Sequence, residues 1–282
     1  MKEARILKKP FFWLGMSFLL VLAAIFQWPR DELHLIFCDV GQGDAILITH
    51  GSTQILVDGG PDHQVLDCLG ENLPFWDQTI EMVLATHPDA DHITGLVEVI
   101  KRYQVKQFVL NSVGKESAVF EAFQKAVLAE GAPVYFPQTG DQINSGSLKM
   151  KFLWPQKQTS VLGATTLAKE ANETSLVVQL SYQDFEALLT GDISSQIETR
   201  LDLEDVEVLK VPHHGSKYST SPELLDQTSP EVIIISVGKN SFGHPTDEVL
   251  TRIKEKQIPY LRTDQEGTIE IITDGQKWEI EN

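Results

Sequence analysis
The chain has 282 residues, 42% of them hydrophobic, and a net charge of -17, enough for a real core in one large α/β domain or two small ones. Residues 1–30 hold five basic side chains against Glu3, which leaves 18 basic and 39 acidic groups beyond them, a net of -21. Such a surface repels polyanions at long range and excludes a generic nucleic-acid-binding stripe.

Taken in order, Met1 to Lys9 is basic, and residues 11–28 contain no charge. As a helix that stretch reaches roughly 27 Å, close to the hydrocarbon thickness of a bilayer. Lysines before it and Trp28-Pro29-Arg30-Asp31-Glu32 after it predict a single-pass cell-membrane anchor with the following domain outside. A cleaved signal peptide is the competing reading. The expected division is therefore 1–30, tail and anchor, and 31–282, one folded domain.

That domain opens with three predicted strands, Leu33–Val40, Ala45–His50 and Gln54–Val57, joined by tight turns as a β-meander. The Gly41-Gln42-Gly43 turn is too short for a dinucleotide loop, and no helix follows it. Asp39 and Asp44 are expected to brace turns. Cys38 and Cys68 make no disulfide framework and no zinc knot, and Cys38 reads as a small core residue. Strands are also expected at 80–85, 107–110, 134–136, 148–153, 175–180, 185–190, 206–211 and 231–236. Helices are expected at 93–100, 117–130, 194–202, 221–227 and 245–257, and a strand pair, 258–262 with 268–272, closes the chain.

Thr86-His87-Pro88-Asp89-Ala90-Asp91-His92 joins an apolar strand to a helix. It crowds two imidazoles and two carboxylates into six residues, beside the positive pole of a helix start. A helix cap needs one such residue and not four, so a bound cation is the expected reason for the crowd. Asp58, Asp192, His213-His214 and His244 likewise follow apolar strands. In an α/β sheet those ends share one edge, where sites form. Several segments delivering His and Asp to one rim suit a dinuclear hydrolytic centre, which makes water nucleophilic and clamps the attacking and leaving oxygens. The residues leave His244 open between site and plain loop.

Five motifs occur in order: Asp39-Val40-Gly41-Gln42-Gly43-Asp44, Ile55-Leu56-Val57-Asp58-Gly59-Gly60, His87-x-Asp89-x-Asp91-His92, Leu189-Thr190-Gly191-Asp192 and Val211-Pro212-His213-His214-Gly215-Ser216. Together they resemble the metallo-β-lactamase-fold domain of the ComEC-type DNA-internalisation (competence) proteins, over about residues 33–275. The resemblance implies an α/β fold, a four-layer αβ/βα sandwich with metals at the edge between its halves. It implies His87 and Asp89 on a first ion, Asp91 and His92 on a second, Asp192 bridging both, and Asp58 orienting the ligand loop from behind. His214 is the expected ligand of the histidine pair, and His213 a proton donor or phosphate contact, although the two roles could be exchanged. Asp91 and His213 are the candidate catalytic groups.

Two departures matter. The commonest version of the fold has His where Asp89 stands and another His where Asn172 lies, so Asn172 is either a weak ligand or a turn residue. The oxygen-rich set tilts the two divalent ions from zinc toward manganese. The family's members are long polytopic channels, whereas one span cannot move DNA alone, so a separate DNA-uptake channel protein is an expected partner. The expected activity is phosphodiester hydrolysis, with DNA as substrate. The alternatives are a phosphodiesterase on a small or cell-wall phosphate ester of the phosphocholine type, and a non-catalytic accessory subunit. A serine hydrolase lacks its Gly-x-Ser-x-Gly elbow. A true β-lactamase is disfavoured by Asp89 and Asn172.

Overall fold
The computed structural model describes residues 12–18, 31–156, 166–167 and 171–281. Residues 12–18 are helical (α1). The rest of the expected 11–28 span lies outside the described residues, among which no helix is long and apolar enough to cross a membrane.

The meander forms as expected: β1 (Leu33–Phe37), β2 (Ile46–His50) and β3 (Thr53–Val57) run antiparallel. Their sheet then continues in parallel. Helix α2 (Val65–Asn72) follows β3, and beyond it come the parallel pair β4 (Thr79–Ile80) and β6 (Gln104–Val105), strand β5 (Met82–Ala85) and helix α3 (Ala90–Arg102). Strands β7 (Phe108–Leu110) and β9 (Val134–Tyr135) finish this side of the sheet. Between them lie β8 (Val113–Gly114), which pairs with β12 (Thr166–Leu167), and helix α4 (Ala118–Glu130).

The second sheet repeats the plan. Strands β10 (Gln142–Ser145), β11 (Leu148–Trp154), β13 (Val177–Tyr182) and β14 (Phe185–Leu189) are antiparallel. Strands β15 (Val208–Lys210), β16 (Val232–Ile235) and β17 (Tyr260–Arg262) then run parallel. Helices α5 (Ser195–Glu198), α6 (Pro222–Thr228) and α7 (Asp247–Glu255) alternate with them, and the short α8 (Thr263–Glu266) follows β17. The last two strands, β18 (Ile269–Thr273) and β19 (Trp278–Glu281), return to the first sheet beside β1. The expected closing strand pair is therefore corrected: β17 and β18 belong to different sheets. Both carry apolar residues that suit either sheet, and local pattern cannot assign a partner.

Side-chain alternation builds the layers. On β1, Leu33, Leu35 and Phe37 enter the core between the sheets, while Ile36 and, just past the strand, Cys38 face the helical layer over the first sheet. On β16, Val232 and Ile234 enter the same inter-sheet core, and Ile233 and Ile235 pack under the second helical layer. Three apolar interfaces thus separate four layers, the αβ/βα sandwich expected.

The cysteine expectation needs a second correction. Cys38 and Cys68 are both buried, but they are joined in a disulfide that ties the exit of β1 to α2. Thirty residues separate them, and only the packing of α2 on the sheet brings them together.

Candidate metal centre
The strand ends do converge. Asp58 follows β3, the His87–His92 loop follows β5, Asp192 follows β14 and His213-His214 follow β15. Oδ2 of Asp192 lies at their centre. The Nε2 atoms of His214, His92, His213 and His87 stand 3.4, 3.5, 3.8 and 3.9 Å from it. Asp91 completes one side, its Oδ2 3.6 Å from His214 Nε2. Asp91, His92, Asp192 and His214 each offer a ligand atom, all within 4.8 Å of one another.

The opposite nitrogens fix the tautomers. His214 Nδ1 lies 2.8 Å from the Ser236 carbonyl, which can only accept. His92 Nδ1 lies 2.8 Å from the Asp58 carboxylate. The Thr86 hydroxyl gives its proton to Asp58 (2.6 Å), so at 3.0 Å it accepts from His87 Nδ1. Each Nδ1 is thus a donor, and in the neutral ring each Nε2 lone pair points into the site. Those three Nε2 atoms and Asp192 Oδ1 are buried without a hydrogen-bond partner. One such atom costs about 1–3 kcal/mol. Four in one place would consume much of a domain's stability, and divalent cations resolve that cost with this donor set.

The electrostatics agree. Burial pulls the His92 imidazole down, but Asp192 and Asp58 outweigh it and hold the ring well above the ordinary histidine range. His214 is pushed up to about 10, because Asp192 and Asp44 overcome its burial. Asp192 is held well below the carboxylate range, since His214 and His92 outweigh desolvation. His87 goes the other way, lowered by burial and by the neighbouring His92. With no cation present, protons on His92 and His214 balance the carboxylates, so metal uptake must displace them.

The backbone is held in unusual conformations here. Asp58, His213 and His214 have φ of 59°, 51° and 52°, a left-handed region that such residues seldom occupy. Each costs of order 1–3 kcal/mol, a strain that functional sites commonly store.

A sequence model of the family described as "Metallo-beta-lactamase superfamily" matches residues 38–239. The chain belongs to the metallo-β-lactamase superfamily. Among curated proteins, it is similar to the ComE operon protein 3 of Bacillus subtilis (strain 168), 29% identical over 275 residues, covering 89% of this chain and 34% of that protein. It is also similar to the Competence protein ComA of Neisseria gonorrhoeae, 24% identical over 254 residues, covering 86% and 32%. The resemblance to the ComEC-type domain is thereby shown, and this chain spans about a third of the length of those relatives. Among solved structures, the metallo-β-lactamase fold protein YhfI from Bacillus subtilis superimposes with a TM-score of 0.56 at 13% identity, covering 84% of this chain and 99% of that one. Igni18, a metallo hydrolase from Ignicoccus hospitalis, gives 0.53 at 13%, covering 84% and 98%.

Within this metallo-β-lactamase frame the expected residues take distinct places. Asp58 lies behind the ligands, accepting from Thr86 and His92. Asn172 touches His213, amide nitrogen to Nε2 at 3.3 Å. Asp89 stands apart from the four-residue group, at the start of α3 with its carboxylate 2.9 Å from Lys115 Nζ. His244 stands edge-on to His213, ring centroids 5.5 Å apart. Asp39 braces its turn by accepting from the Gly41 amide.

Asp44 does more than brace a turn, which corrects the expectation. It is buried 2.5 Å from Lys210 Nζ, with its other oxygen 3.5 Å from His214 Nδ1. Lys210 also donates to the Gly191 carbonyl and lies 3.9 Å from Asp192 Oδ1, so this ion pair forms the floor of the site. Lys210 escaped the sequence reading. A lone lysine inside Val208-Leu209-Lys210-Val211 on a central strand was the available signal, since lysine is almost never buried unpaired. Gly43 explains the neighbouring motif: a Cβ there would overlap the Asp91 carbonyl, and this close approach lets the meander abut the ligand loop.

Proposed function
We propose that this chain is a divalent-metal-dependent phosphodiesterase that cuts DNA strands outside the cell as part of a DNA-uptake system. The observation that carries it is the convergence of three Nε2 atoms, each Nδ1 tied down behind it, on Asp192. Competence names among the relatives supply the link to DNA. The Cys38–Cys68 bond supports an external domain, because disulfides persist in oxidising compartments. Residues 11–28 would anchor the 31–282 domain in the membrane, beside a separate channel protein.

Asp91, His92, Asp192 and His214 would hold one ion. His87 and Asp192 would hold a second, joined by Asp89 once that carboxylate leaves Lys115. The carboxylate-rich set suits manganese and the imidazoles suit zinc. Bound there, the ions would render a water nucleophilic and neutralise the phosphodiester oxygens. The chain's own groups do the rest. Asp58 keeps the His92 ring aimed. His213, with a third of its side chain exposed, would give a proton to the leaving alkoxide from Nε2, the Asn172 amide nitrogen 3.3 Å away giving up that position when the ring is protonated.

A second reading is favoured by the net charge of -17, which weakens binding of a polyanion. It is a phosphodiesterase on a small or cell-wall phosphate ester of the phosphocholine type. The test is incubation of the full chain with Mn²⁺ or Zn²⁺ and either a single-stranded oligonucleotide or p-nitrophenyl phosphocholine. Strand fragments are the expected result. Nitrophenol release without strand cleavage would move the assignment to the second reading. Metal retention with neither activity would make the chain a non-catalytic accessory subunit.

A further inference from the structure
The loop between β16 and α7 presents an aromatic side chain that the chemistry above leaves unused. Phe242 is 70% exposed. Its ring is nevertheless held in place, stacked on the His244 imidazole with centroids 5.7 Å apart and planes 30° from parallel. His244 in turn meets His213, whose Nε2 lies 3.8 Å from Asp192. The backbone beneath is pinned by Asn240. Its amide donates to the carbonyls of Gly238 and His244 at 2.9 and 2.8 Å, and accepts from the amides of Phe242 and His244 at 3.0 Å each. Gly238 fixes the loop's other end, since a Cβ there would overlap the Gly41-Gln42 backbone. A single exposed apolar residue is ordinary. One on a loop braced four times, with one face covered by an imidazole that itself meets His213 edge-on, is a preorganised platform.

We propose that Phe242 stacks a nucleobase adjoining the scissile phosphodiester, so that the substrate is a base-bearing single strand rather than a base-free ester. This rests on the phosphodiesterase reading above. Base stacking on an aromatic ring gives affinity without phosphate neutralisation, which is the contribution an acidic protein lacks. It also requires an unstacked base, hence a single strand. Lys239, three residues earlier, has no carboxylate partner among the described residues and is free for a backbone phosphate. A quaternary ammonium group calls for several aromatic walls, whereas Phe242 offers one free face.

The test is fluorescence anisotropy of the full chain with a labelled oligothymidylate and with an abasic strand of equal length and charge. The wild type is expected to favour the base-bearing strand roughly tenfold. Phe242→Ala should remove that preference and Phe242→Trp should keep it. Equal binding of both strands by the wild type, or a preference that survives Phe242→Ala, overturns the platform. Cleavage with Mn²⁺ separates the two levels of argument. If both strands are cut equally well, the phosphodiesterase reading stands and the platform falls. If neither is cut while p-nitrophenyl phosphocholine is hydrolysed, the phosphodiesterase reading stands for a small ester, and both the DNA assignment and the platform fall.

Discussion

The site has two walls of different construction. The inner wall (Asp44, Asp58, His87, His92, Asp192, Lys210 and His214) is at most 2% exposed, and its imidazoles are anchored through Nδ1 to a carbonyl, a carboxylate or a hydroxyl. The outer wall (Asp89, Asp91, His213, His244 and Phe242) is partly open, and its members touch one another, a surface lysine, or the inner ligands Asp192 and His214. Burial makes the inner contacts strong and an unpaired group there costly, so that wall holds one geometry. The outer wall meets solvent and is where one substrate can be told from another.

The comparison can be broken most severely at the centre. Asp192→Ala should abolish metal retention by the purified protein and cut turnover by roughly a thousandfold or more. Turnover that survived with metal lost would sink the mechanism. Next comes the floor. Lys210→Met leaves Asp44 buried without its cationic partner, facing only His214 and His92, and should cost about 3–5 kcal/mol in denaturant unfolding, most of it regained in Asp44→Asn with Lys210→Met. A single variant as stable as the wild type would show that the pair is not balanced as described. The Cys38→Ser/Cys68→Ser double variant should lose about 3–4 kcal/mol, from a crosslink spanning 30 residues. No change after reduction would contradict the bond.

Smaller effects sharpen the contrast. Asp58→Asn should lower metal affinity by about 10- to 100-fold, because His92 loses its charged acceptor. Asn172→Ala, behind His213 of the outer wall, should leave affinity nearly untouched, and competition with a fluorescent chelator measures both. The contrast also has a pH signature. Metal-free His214 titrates near 10 against an ordinary 6.5, so it carries a proton at neutral pH that a cation must displace. Affinity should rise about tenfold per pH unit for each proton displaced, up to about pH 10. The stability that this proton gives the metal-free protein is complete below pH 6.5 and fades as pH climbs toward 10. Calorimetry in buffers of different ionisation heat counts the protons, and a count of zero would refute the protonation of His214 in the metal-free protein.

Much of this was readable before any coordinates. The meander, the strand before the His87–His92 loop and the apolar strands ending in Asp58, Asp192 and His213-His214 are local patterns. Alternation of period two and a polar residue after a β-branched run survive in one dimension. The gathering of those ends at one rim followed from parallel strands sharing a direction. Other features were hidden because they depend on partners distant in sequence. Asp44 reads as a turn residue until Lys210 rises beneath it, and the Lys115 beside Asp89 comes from 26 residues further along the chain.

Backbone propensity and apolar periodicity act over a few residues, so most of the longer strands and helices and the residue types at the rim were legible in one dimension, whereas α2, β10 and β19 were not. Tertiary structure alone decided that β18 leaves β17 for β1, that Cys38 meets Cys68, and which nitrogen of each histidine is free. The physical reason is the same each time. Several partners satisfy the local pattern equally, and only packing two sheets face to face, with no room for an unpaired buried group, chooses among them.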